Sequence, residues 1–170
     1  MSVSREELTE IVDRSLGLHF EVEGKFEWVD RTTRTQSYEW QIRPHQPDRA
    51  SVGGECYLTF QKEHDRTTVD LRTTIEFRDI DQVKNQDLLA RARAHMANAY
   101  VEYRIVEEFS DGRQSFHVFI GTALFFDRDH LHAREALADE VDIHLEVLAE
   151  LASEVDGMVY LESTGPRPLS

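Results

Sequence analysis

An α+β domain built on one antiparallel sheet is the fold this chain predicts, and three observations predict it. Apolar residues recur at helical spacing near both ends of the chain. Between them, apolar and polar residues alternate in several stretches, the mark of half-buried strands. Short turn-like segments separate most of those stretches, and short connections with one polar face each favour antiparallel pairing. The expected order is α-β-β-β-β-α-β-β-α, about six strands and three helices with a long C-terminal helix. Residues 1–163 are expected to form a single domain and 164–170 a flexible tail.

The first element starts at Ser4-Arg5-Glu6-Glu7, a capping box in which the serine hydroxyl accepts from the third backbone N–H and the glutamate reaches back. Leu8, Ile11, Val12 and Leu16 share one helical face behind it, and Gly17 is the expected stop of a helix over 5–16. From Leu18 the period drops to two: Leu18, Phe20, Val22, Phe26 and Trp28 alternate with polar residues. Gly24 falls in their register, where a bulge is expected. Alternation returns in Tyr38/Trp40/Ile42, in Cys56/Leu58/Phe60 and in Val69/Leu71/Ile75/Phe77. The segments Asp30 to Arg34, Pro44 to Gly54 and Glu63 to Arg66 read as connections.

A second helix is expected near 83–98, with Leu88, Leu89, Ala92, Met96 and Ala99 inward. A hairpin follows. Val101, Tyr103, Ile105 and Phe109 lead to Ser110-Asp111-Gly112-Arg113, whose Asp-Gly pair signals a tight turn. The returning strand carries Phe116, Val118, Ile120, Leu124 and Phe126 on one face and Phe119, Ala123 and Phe125 on the other, so it calls for cover on both. The last helix is expected from Asp129, as its N-cap, to Val155, with Gly157 as its stop, a span of roughly 40 Å. Leu137, Val141, Leu145, Leu148, Ala152 and Val155 form one stripe, and Ile143, Val147 and Leu151 widen it. That arc exceeds what one partner surface needs.

Composition bounds the function. The chain is globular in type, with 40% hydrophobic and 31% charged residues. Its opening MSVSREELTE is polar and no apolar run reaches about 18 residues, so neither a secretory leader nor a membrane span is expected. A single cysteine, Cys56, precludes an internal disulfide and fits a cytoplasmic location. Thirty-three acidic residues against 19 basic ones give a net charge of −14, which repels nucleic acid and anionic lipid. Lysine occurs only at Lys25, Lys62 and Lys84. Acidic excess with little lysine resembles the proteins of salt-loving organisms, although arginine-preferring codons also account for the missing lysine.

The element order, and above all Leu88-Leu89-Ala90-Arg91-Ala92, the Tyr100 to Phe126 hairpin and the helix start at Leu131 to Leu151, resembles the type III secretion chaperone-like fold. That fold is shared with the YbjN family of sensory-transduction regulators. Four strands precede the middle helix here where the family pattern has three. The resemblance implies a small, acidic, dimeric and non-enzymatic protein.

The chemistry-bearing residues point the same way. Asp127-Arg128-Asp129-His130-Leu131-His132 is the best metal candidate by residue type. However, His130 and His132 stand two apart, and the aspartates serve more simply as helix caps, so no metal is expected. His144 is expected as a satisfied buried or interface histidine, with a pH-sensitive contact as the alternative. Cys56 lies on an inner strand face with no local histidine to activate it. Gly53-Gly54 precedes a strand rather than a helix, so no nucleotide cofactor is expected. Trp28 and Trp40 are expected in the core. Pairs such as Glu6-Glu7 and Glu107-Glu108 are consecutive, not opposed across a substrate. His95 and His117 join one site only if the fold brings them together.

The expectation is therefore a protein-binding domain, chaperone-like or regulatory, with no catalytic residue and no cofactor. It acts as a homodimer through Phe119, Phe125, Ile143, Val147 and Leu151, with a client or regulatory protein as further partner. The alternative is a small-molecule or enzymatic pocket on the concave sheet face.

Overall fold

A computed structural model describes residues 3–45, 51–63, 66–78, 90, 93–94, 99–108, 110–112, 114–126 and 133–163. Helix α1 spans Arg5–His19, followed by strands β1 (Phe20–Asp30), β2 (Thr35–Pro44), β3 (Ser51–Glu63) and β4 (Arg66–Arg78). Strands β5 (Tyr100–Glu108) and β6 (Gln114–Phe126) follow, and helix α2 (Arg134–Ser163) ends the described chain. The helix expected near 83–98 lies outside the described residues except for positions 90, 93 and 94, which are helical.

The strands form one sheet in the order β1-β2-β3-β4-β6-β5, and every adjacent pair is antiparallel. An α+β domain on an antiparallel sheet is thus the observed class. Gly112 takes a positive φ of 83° in the turn between β5 and β6, a conformation glycine reaches at no steric cost.

One face of the sheet carries the core. Trp40, Ile42, Cys56, Leu58, Phe60, Val69, Leu71, Ile75 and Ile120 are buried there beneath Leu8, Val12 and Leu16 of α1 and Leu137, Val141, Leu145 and Leu148 of α2. The two helices are also tied to each other. Asp142 accepts from Ser15 Oγ at 2.8 Å and lies 2.9 Å from His19 Nε2, while Arg134 pairs with Glu7 at 3.0 Å. The Ser4–Glu7 capping box is present in full.

Several expected boundaries move. Gly17 does not stop α1, which runs to His19 and closes with the Phe20 N–H on the Leu16 carbonyl. Gly157 likewise falls inside α2. A helix-interior glycine costs about 1 kcal/mol relative to alanine, which the packing of neighbouring turns outweighs. The Pro44–Gly54 connection is shorter than expected, because β3 begins at Ser51 and bulges between Ser51 and Gly53. The Asp129 cap lies outside the described residues.

The first strand departs most from its pattern. The expected bulge at Gly24 is there, as a register shift between Val22 and Gly24. Before it, Val22 faces Ile42 on the helix side; after it, Lys25 faces Trp40 and Phe26 faces Glu39. One extra residue inverts a strand's alternation. Phe26 and Trp28 therefore stand on the face opposite the helices, 44% and 58% exposed, and the expectation of Trp28 in the core is corrected. Lys25 takes the inner register instead, with its ammonium 5.4 Å from the Trp40 ring and 6.0 Å from the Tyr38 ring.

Candidate functional site

The face of the sheet away from the helices is polar and open among the described residues. Register places residues in rows across it. One row runs Phe26, Glu39, Tyr57, Arg72, Ala123; the next runs Gly24, Gln41, Glu55, Thr74, Gly121, Tyr100. Over the second row, reaching Tyr57 and Arg72 on one side and Glu76, Phe119 and Glu102 on the other, lies a hollow of about 720 Å³, bordered also by Glu23, Glu55 and Tyr100.

Tyr57 organises one side of the hollow. Its hydroxyl lies 2.7 Å from Glu55 Oε2 and 3.1 Å from Glu39 Oε1, while Trp28 Nε1 donates to Glu39 Oε2 at 3.0 Å. Burial pushes the phenol pKa far up, and the two carboxylates push it further, so Tyr57 stays a neutral donor. Tyr100 organises the other side. Its ring crosses Gly121, where a Cβ would come within 2.4 Å of the ring, and its hydroxyl meets Thr74 Oγ1 at 3.1 Å. His117 Nδ1 contacts the Glu76 carboxylate, Arg72 pairs with Asp70 at 3.2 Å, and Arg43 pairs with Glu23 at 2.9 Å. Glu23, Glu39, Glu55, Asp70 and Glu76 thus each have a hydrogen-bond or ion-pair partner.

Reactive side chains lie elsewhere. Cys56 is fully buried on the helix side, takes a 3.4 Å hydrogen bond from Thr73, and has its thiol pushed up to about 12 by burial. It is a small apolar core residue in its effect. Among the described residues no three histidine, cysteine or carboxylate side chains are grouped to hold a metal. The Asp127–His132 segment and His95 lie outside the described residues. His144 is buried, but its Nε2 has no hydrogen-bond partner among the described residues, and desolvation pushes its pKa down to about 4. The expectation of a satisfied histidine is corrected on that atom.

The expected interface residues do not converge. Phe125 is exposed on the outer face, where Phe119 borders the hollow, and Ile143 is exposed on α2, which packs on the other side of the sheet. Val147 packs against the core, and Leu151 is fully buried in it. Much of the described arc of α2 is buried in the core, through Leu137, Val141, Leu145, Leu148, Leu151 and Ala152, while Ile143 stays exposed. The apolar surface is concentrated on a different element. Val22, Phe26, Trp28 and Val29 of β1, with Leu18 just before them, are exposed. Beyond this stretch the exposed large apolar side chains among the described residues are Phe125 and Ile143. β1 is also a terminal strand of the sheet, so among the described residues one side of its backbone has no strand beside it. Sequence periodicity put Phe26 and Trp28 on one face with Phe20 and Val22; the bulge expected at Gly24 was the signal for their true face. Among the described residues no helix is long and apolar enough to cross a membrane. No family model, curated protein or solved structure matches the chain.

Proposed function

We propose that this chain is a non-enzymatic protein-binding domain that pairs with itself and with a protein client or regulator. One observation carries the reading: an edge strand of 11 residues that exposes Val22, Phe26, Trp28 and Val29. A long edge that bears exposed apolar side chains and, among the described residues, has no strand beside it is a template for another strand, since backbone hydrogen bonds supply affinity and alternate side chains supply choice of partner. The resemblance to the secretion-chaperone-like fold and the YbjN family implies a dimeric, non-enzymatic protein, which agrees with this reading. Light scattering tests the reading directly. A mass near twice 19.8 kDa at micromolar concentration is expected, falling to the monomer in Phe26→Glu/Trp28→Glu. A wild-type monomer at every concentration up to the solubility limit would overturn it.

A second reading is favoured by the hollow on the outer face. Tyr57, Tyr100 and Phe119 among carboxylates suit a small organic cation, held by ring faces and charge together. Calorimetric titration with aliphatic amines and guanidines tests it. Heat that disappears in Tyr57→Ala supports this reading, and silence at millimolar ligand leaves the first reading alone.

A further inference from the structure

The geometry points to a specific register for self-association: β1 of two copies pairs antiparallel about a two-fold axis at Phe26, continuing the sheet from one protomer into the next. This inference rests on the self-pairing part of the reading above and supplies its interface.

Charge selects the register. A two-fold axis through Phe26 sets Lys25 of one strand opposite Glu27 of the other, and sets the reverse pair on the far side of the axis. Lys25 and Glu27 both occupy the helix-side register, opposite Trp40 and Tyr38. The axis therefore creates two identical cross-strand ion pairs on one face, where like charges would oppose association. A lysine on a strand edge ordinarily guards against pairing. Here the next residue on the same face carries its counter-charge, so an axis at Phe26 turns the guard into an attraction. An axis at Lys25 or at Glu27 would set like charges against each other.

The opposite face fits the same axis. Phe26 meets Phe26 at the centre, and Trp28 of each copy falls opposite Gly24 of the other. Gly24 presents no side chain, so two aromatic rings can share the space above it; Phe26 already leans there, 3.2 Å from where a Cβ would stand. An aromatic ring laid across a strand glycine is an arrangement the fold already uses, in Tyr100 over Gly121. The bulge between Val22 and Gly24 ends the regular strand at the point where the paired segment, Gly24 to Trp28, would end. Because the axis runs perpendicular to the sheet, the helices of both copies lie on the same side. The occupant is therefore a second copy of this chain, and the interface is isologous.

Charge exchange and cross-linking test the register in the full chain. Lys25→Glu alone and Glu27→Lys alone each place like charges across the axis and should weaken the dimer by about tenfold or more at low salt. An equimolar mixture of the two should form heterodimers, because each strand then meets the opposite sign twice. Lys25→Glu/Glu27→Lys in one chain should restore the homodimer. Phe26→Cys should cross-link to itself under mild oxidation, since facing residues lie about 5 Å apart at Cα. Lys25→Cys should cross-link only when mixed with Glu27→Cys. Cys56 is buried and stays silent. A wild-type dimer that ignores the charge exchange, and whose Phe26→Cys variant does not cross-link, overturns the register while the self-pairing reading stands. A wild-type monomer overturns both.

Discussion

The indole N–H of Trp40, buried in β2, donates to the carboxylate of Asp13 on α1 across 2.9 Å. This bond gives the largest fully buried side chain of the core a polar partner, and it fixes how α1 crosses the sheet. Removing the acceptor leaves the donor buried and unpaired. Asp13→Ala should therefore destabilise the fold by about 1–3 kcal/mol in urea unfolding. Trp40→Phe/Asp13→Ala should lose less than the two single changes together, since the orphaned donor is then gone.

His144 makes stability depend on pH in a defined window. Its folded pKa of about 4 lies below the ordinary 6.5, so the unfolded chain takes up this proton first as pH falls. The stabilising effect of a neutral buried ring is whole above pH 6.5 and is lost as pH falls towards 4, by roughly 3 kcal/mol over the window. His144→Leu should flatten that part of the profile and be the more stable protein at pH 5. Urea midpoints for both proteins between pH 4.5 and 7.5 check it; parallel profiles would refute it.

Asp142 acts in a lower window. Hydrogen bonds from His19 first and Ser15 second hold its carboxyl below the usual carboxylate range. A depressed acid stabilises the fold above its unfolded pKa near 3.8 and ceases to do so as pH falls through the lower folded value. Asp142→Ala should loosen the α1–α2 contact at neutral pH, and the gap between wild type and variant should close below pH 4.

Two glycines should differ sharply in tolerance. A Cβ at Gly54 would lie 2.2 Å from the backbone carbonyl oxygen of Thr74 on the neighbouring strand, which cannot move without breaking the ladder. Gly54→Ala should cost about 3 kcal/mol or more. At Gly121 the obstacle is the tip of the Tyr100 ring, which can swing away at the expense of its Thr74 contact. Gly121→Ala should cost about 1–3 kcal/mol, and Tyr100→Ala in the same chain should relieve part of it.

The net charge of −14 sets the response to salt. Screening should relieve self-repulsion, so the melting temperature should rise more between ~0.05 M and ~2 M KCl than that of a near-neutral control protein. A rise no greater than the control's assigns the scarcity of lysine to codon preference.

Most of the architecture was legible because its signals are local. The capping box, the alternation in β2 to β4 and the Asp-Gly turn each depend on a few adjacent residues, and each is present. The faces were less legible where one residue changes the count. Phe26 and Trp28 share a period with Phe20 and Val22, and periodicity assigns all four to one face. Gly24 indicated a bulge, yet where the extra residue sits depends on hydrogen bonding to β2, which is a tertiary fact. The arc of α2 misled for a related reason: Leu151 and Val147 look surplus by periodicity, yet Leu151 is buried in the core and Val147 packs against it. Gly17 and Gly157 show that a glycine stops a helix only when the following chain has nothing better to do.

The bulge at Gly24 also bears on how such a surface arises. Val22 faces Ile42 and Gly24 faces Gln41, so Glu23 is the residue in excess. Deleting it would restore plain alternation while leaving Phe26 and Trp28 outward and Lys25 and Glu27 inward, because the partners on β2 stay the same. Closing the bulge with Glu23 kept would instead turn both aromatics inward. The outer surface of this strand is thus insulated from the loss of one codon, and the bulge is where the surplus length is stored.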